Sequence, residues 1–126
     1  MTEGSLWGDL STLKSIRTPK SMLTEQADIL NQLTGGLIRA QVNASQNGAS
    51  LNFTLLIIAP ALNNYNFTVC IISHDVNIYP CKIYSYEDNT WQDCENEEEL
   101  KVKLRNVLSS DKTKRIIEAL LSQSRG

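Results

Sequence analysis

His74 stands beside Asp75, and an imidazole next to a carboxylate is the raw material of a general base or a metal ligand. Three observations weaken that reading. His74 is the chain's single histidine. The strand pattern around it calls for a tight turn at His74-Asp75 or Val76-Asn77. Adjacent residues of a strand also point to opposite faces. A zinc site would need Cys70, Cys81 or Cys94 to converge on His74, and only Cys70 shares its strand parity, if the strand runs that far. A cysteine–histidine nucleophile would use Cys94 or Cys81. Cys94 follows Trp91 and Asp93 in a stretch that reads as an exposed loop, and acidic neighbours disfavour the thiolate. Three cysteines make an odd count, which does not fit a disulfide framework. They read as small buried hydrophobes in a reducing cytoplasm.

The carboxylates are no stronger. Seven acids (Glu87, Asp88, Asp93, Glu95, Glu97, Glu98 and Glu99) fall between residues 87 and 99, with no base among them. Paired-carboxylate hydrolysis needs two acids held across a cleft. Here they crowd a loop and a helix start, where they complement the helix dipole. Gly35-Gly36 follows a helix and precedes a strand, the reverse of a phosphate-cradling glycine turn. The Asn-x-Ser/Thr triplets at Asn43, Asn52 and Asn66 would matter only in a secreted chain. No catalytic residue, cofactor or metal ligand is therefore assigned.

Aromatic residues are more informative. Tyr84 and Tyr86 share one strand face with Lys82, and Trp91 follows closely. Such a group can stack nucleobases, lie under a helix, or present apolar area with polar tips to a protein. Near the start, Leu6, Leu10, Leu13 and Ile16 recur at helical spacing around Trp7. Gly4 and Gly8 weaken that pattern. Trp7, Leu10, Tyr84, Tyr86 and Trp91 are the candidate interaction residues.

Stepping outward, residues 1–17 form an N-terminal tail or docking segment, and residues 18–126 form one α+β domain. Thr18 caps a helix with Pro19 in its first turn. Met22, Gln26, Ala27, Ile29, Leu30 and Leu33 make its apolar stripe, and Gly35-Gly36 stops it. Alternation then predicts strands over residues 37–44, 51–59, 66–73 and 78–86. Asn47-Gly48 is a hairpin signal. Pro60 ends the second strand, and Pro80 makes the fourth an edge or an irregular start. The short connections favour a four-stranded antiparallel meander. Asn96 with Glu99 has capping-box spacing. Leu100, Leu104, Val107 and Leu108 form the next stripe. Ser109-Ser110-Asp111 opens a last helix, buried through Ile116, Ile117, Leu120 and Leu121. One N-terminal and two C-terminal helices thus pack on the sheet. Apolar residues on both sides of the second strand, from 55 to 58, imply that residues 1–17 or a second copy covers its outer face.

The chain of 126 residues carries a net charge of −2, which argues against a general nucleic-acid binder. Its charge is segregated: five of each sign up to residue 86, then −7, then +5 from Lys101 onward. Lys101, Lys103 and Arg105 do not share one helix face. Lys112, Lys114 and Arg115 could join Arg39 or Lys82 only through the fold. There is no apolar run long enough to span a membrane, and the start lacks the pattern of a signal peptide. The expectation is a small, non-catalytic cytoplasmic interaction or adaptor module, partnered by a second copy or another protein. Two rivals have explicit conditions. An enzyme or ligand binder with a pocket between sheet and helices needs His74, Tyr84 and an acid to converge. A nucleic-acid binder needs the C-terminal helix bases and the strand bases to form one patch.

Overall fold

The computed structural model describes residues 6–86 and 88–126. They form helix α1 (Pro19–Leu33), a sheet of five strands and two further helices. The strands are β1 (Arg39–Asn47), β2 (Ser50–Ala59), β3 (Tyr65–His74), β4 (Cys81–Ser85) and β5 (Thr90–Cys94). They are followed by α2 (Glu97–Leu108) and α3 (Asp111–Ser124). The sheet is an antiparallel meander in the order β1-β2-β3-β4-β5.

Local chemistry sets the boundaries. The Thr18 hydroxyl accepts from the Ser21 amide at 3.1 Å, and Pro19 occupies the first turn where an N–H would lack a partner. The Asn96 side chain accepts from the Glu99 amide at 2.9 Å, while the Glu99 carboxylate accepts from the Glu95 amide at 3.1 Å. That arrangement resembles a capping box displaced by one residue. Ser110 caps α3 through the Thr113 amide at 3.2 Å. Between β1 and β2 the two loop residues are Gly48 and Ala49, with Gly48 at φ +62°. A glycine at the first of two loop positions gives the twist that lets the strands continue together.

All three helices lie on one face. α1 packs on β1 and β2, α2 on β3 to β5, and α3 on β2 and the turn Pro60–Leu62. Beneath them sit Phe53, Leu55, Ile57, Val69, Cys70, Ile72, Cys81, Ile83 and Cys94, joined by Leu23, Ile38, Leu100 and Leu104. Burial of this kind contributes about 25 cal/mol for each Å² of apolar surface removed from water.

Five expectations are corrected. The sheet has a fifth strand where the acidic stretch reads as loop, and its last residue, Cys94, is fully buried. β4 begins only after Pro80, and β1 runs on to Asn47. β3 does not alternate strictly, because the register with β2 shifts at Leu55/Leu56. Phe67 therefore pairs with Ile57, and Cys70 with Leu55, on the same covered face, with Val69 bulged between them. In α1 the buried side chains are Pro19, Met22, Leu23 and Ala27, while Leu33 is 78% exposed. The stripe is thus rotated toward Leu23, because α1 sits over the β1 and β2 end of the sheet, while Ile29 and Leu33 border the gap toward α3.

Candidate functional site

The opposite face of the sheet carries the residues that alternate with the core. Read across one row, register partners run Trp91, Tyr84, Ile71, Thr54 and Asn43 from β5 to β1. The row grades from aromatic at the β4–β5 end to polar at β1. Beside it stand Leu56 and Ile58 of β2, half-buried and outside the helix-covered core cluster. Among the described residues no helix packs on this face.

Tyr84 is the hub. Its ring lies 5.2 Å from that of Trp91, tilted by 54°, and 4.8 Å from that of Tyr86 in an edge-on arrangement at 81°. Such offsets suit aromatic quadrupoles. The Tyr84 hydroxyl donates to Asn89 Oδ1 at 3.2 Å, which fixes the ring against the β4–β5 turn. Lys112 of α3 reaches round to the Tyr86 carbonyl at 2.9 Å. Trp91 remains 50% exposed. Lys82 and Asp93 are register partners on the same face and bring opposite charges side by side.

Of the five candidate residues, the fold gathers Tyr84, Tyr86 and Trp91. Trp7 and Leu10 belong to a separate segment. All the described residues from Leu6 to Arg17 are exposed, including Trp7 at 80%. The segment holds one 3-10 turn, Leu10–Thr12, capped by Asp9. It is tied down at its end, where the Tyr79 hydroxyl donates to the Arg17 carbonyl at 3.0 Å and Arg17 meets Glu25 at 2.5 Å. Its apolar side chains do not cover Leu56 and Ile58 of their own chain. The tail's first five residues, and Glu87 of the acidic run, lie outside the described residues.

His74 is not in a turn. It ends β3 on the helix-covered face, with its ring stacked on Phe53 at 5.4 Å and its Nδ1 within 2.6 Å of the Asp75 carbonyl. The stack holds the ring in the core, and its buried Nε2 has no hydrogen-bond partner among the described residues. Tyr84 points to the other face, so His74 and Tyr84 cannot share a site. Among the described residues no cluster of three or more His, Cys, Asp or Glu side chains could hold a metal. The gap between α1, α3 and the sheet has a volume of about 150 Å³ and an almost wholly apolar lining. That is below the roughly 300 Å³ at which small-molecule sites begin.

A wider cleft of about 480 Å³ opens between α1, α2 and α3. Arg17, Lys101, Arg105 and Lys114 ring it, with Met22 and Leu104 at its floor. Two of these cations already have acidic neighbours: Arg17 pairs with Glu25, and Lys101 lies 3.8 Å from Glu97 and 3.6 Å from Glu98. The strand bases Arg39 and Lys82 are on the far face of the sheet from this cleft. Among the described residues no helix is long and apolar enough to cross a membrane.

No family model, curated protein or solved structure matches the chain. The functional reading therefore rests on this geometry.

Proposed function

We propose that the protein is a small non-catalytic interaction module of the cytoplasm, whose working surface is the open sheet face and whose primary occupant is a second copy of itself. The observation that carries this reading is the Tyr84, Tyr86 and Trp91 cluster on a face that the helices leave bare. Aromatic anchors concentrate binding energy. Each chain also carries an apolar segment, Leu6 to Ile16, that finds no cover on its own sheet.

Size favours the second copy. Five strands at about 4.8 Å, over a usable length of roughly 20 Å, give a face of roughly 500 Å². A standard interface takes about 800 Å² from each partner. The face alone falls short, and the exposed N-terminal segment supplies the remainder. In a two-fold dimer the segment of each protomer would lie across the face of the other, which uses both unpartnered surfaces twice.

Sedimentation of the full chain at low micromolar concentration tests this. A dimer that Tyr84→Ser with Trp91→Ser converts to a folded monomer, and that Trp7→Ser weakens, supports it. A wild-type monomer, or a dimer indifferent to all three changes, overturns it and leaves the face to a different protein.

One observation favours a second reading. The cationic cleft is large enough for a small anion, and titration with inorganic pyrophosphate tests it. Binding that Arg105→Ala abolishes would support a ligand site there; heat signals unchanged by that variant would remove it.

A further inference from the structure

Cys81 and Cys94 are register partners on β4 and β5, and both are fully buried beneath α2. Directly opposed residues of an antiparallel pair have Cα atoms about 4.5–5.5 Å apart. A disulfide spans Cα separations of about 4.4–6.8 Å. The two thiols are also close enough to perturb one another's ionisation. Cys70 is the register partner of Ser85, at the other end of β4, four residues and about 13 Å along the strand from Cys81. The odd cysteine count thus resolves into one facing pair and one isolated thiol.

We infer that Cys81 and Cys94 form a reversible dithiol–disulfide site whose reaction partner is a small-molecule disulfide of the glutathione type. Cys94 acts first. It ends the five-residue edge strand β5, whose other side chains are exposed, so local opening there uncovers it at low cost. In the closed sheet, burial pushes both thiols up, Cys81 to about 12, and keeps them protonated. Opening of β5 removes that desolvation. The Cys94 thiolate then attacks one sulfur of the small disulfide, its S–S bond breaks, and one small thiolate leaves and takes up a proton. The Cys81 thiolate next attacks the Cys94 sulfur of the mixed disulfide and expels the second small thiolate. Two protein thiols are oxidised, one small disulfide is reduced to two thiols, and the reverse exchange restores the protein. The product staples the edge strand to its neighbour.

The test is to incubate the full chain with oxidised glutathione, then measure intact mass, free thiols under denaturing conditions, and linked peptides. The expected product has lost two hydrogens, keeps one alkylatable thiol at Cys70, yields a Cys81–Cys94 peptide, and returns to the starting mass with reductant. Cys70→Ala should behave identically, and Cys94→Ala should form no internal disulfide. The oxidised protein should melt at least about 4 °C higher than the reduced one. A link through Cys70 overturns the inference. So does the persistence of all three thiols even after refolding from denaturant in glutathione buffer, or an oxidised form that melts no higher than the reduced one.

Discussion

The two faces of the sheet are built from the same five strands, residue by alternate residue, yet they meet different surroundings. On the covered face Ile72 and Ile83 are register partners sealed under helices. One residue away, Ile71 and Tyr84 are register partners that stay half in solvent. Backbone pairing is common to both, so the difference lies wholly in what packs on the side chains. The covered face carries the stability of the fold. The bare face carries Tyr84, Tyr86 and Trp91, held to one another by ring contacts but left partly in solvent.

Neighbouring substitutions test that contrast most strongly. Ile72→Ala should cost about 2–5 kcal/mol in denaturant unfolding, as a cavity in a sealed core does. Ile71→Ala should cost about 1 kcal/mol or less, because water already reaches the site. Equal losses would mean that the open face is covered in solution.

Alkaline titration probes the buried thiols of the covered face, with Tyr79, whose hydroxyl is also pushed up to about 12 by burial, as a further contributor. Burial lifts Cys70 and Cys81 to about 12, above the unfolded thiol value. The unfolded chain therefore releases protons first as pH rises. The stabilisation is complete below about pH 8.5 and is lost toward pH 12, at up to about 1.4 kcal/mol per pH unit for each thiol. Cys70→Ala should flatten that slope in stability measured from about pH 9 to 11, and an unchanged slope would place the cause elsewhere.

Trp91→Ala is the complementary probe of the bare face. Fold stability should change by about 0.5–1.5 kcal/mol, the worth of its contact with Tyr84, while self-association weakens at least about tenfold. Glu25→Gln should have the smallest effect, below about 1 kcal/mol by thermal unfolding, because its bond to Arg17 is exposed.

Much of this architecture is legible in the residues. Thr18-Pro19, Asn96 and Ser110 announce the three helix starts, and the glycine at 48 announces the first hairpin. Tyr84 and Tyr86 reveal their shared face by parity alone. β5 is hidden because an edge strand with one buried residue, Cys94, has no alternation to read, and its acidic flanks mimic a loop. The place of His74 is hidden because its neighbour Asp75 and the Asn77 beyond suit a turn, while the bulge at Val69 hides which β3 residues before Cys70 face the helices. The bulge shifts the parity of β3 only upstream of Cys70; from Cys70 to His74 the alternation holds, and the strand ends one residue beyond the Ser73 at which the pattern stops. Leu23 escapes notice because a periodic stripe gives the spacing of buried positions but not which flank of a helix meets the sheet.

β1 has a consequence for how the chain behaves in a crowd. Its outer edge is nine residues long, has no proline, and bears a single charge at Arg39. Its side chains on the bare face include Gln41, Asn43 and Asn47, whose carboxamides are of the kind that stack into amide ladders when strands from many chains line up. With so little to repel a neighbouring strand, β1 is where fibril growth on a concentrated sample would begin.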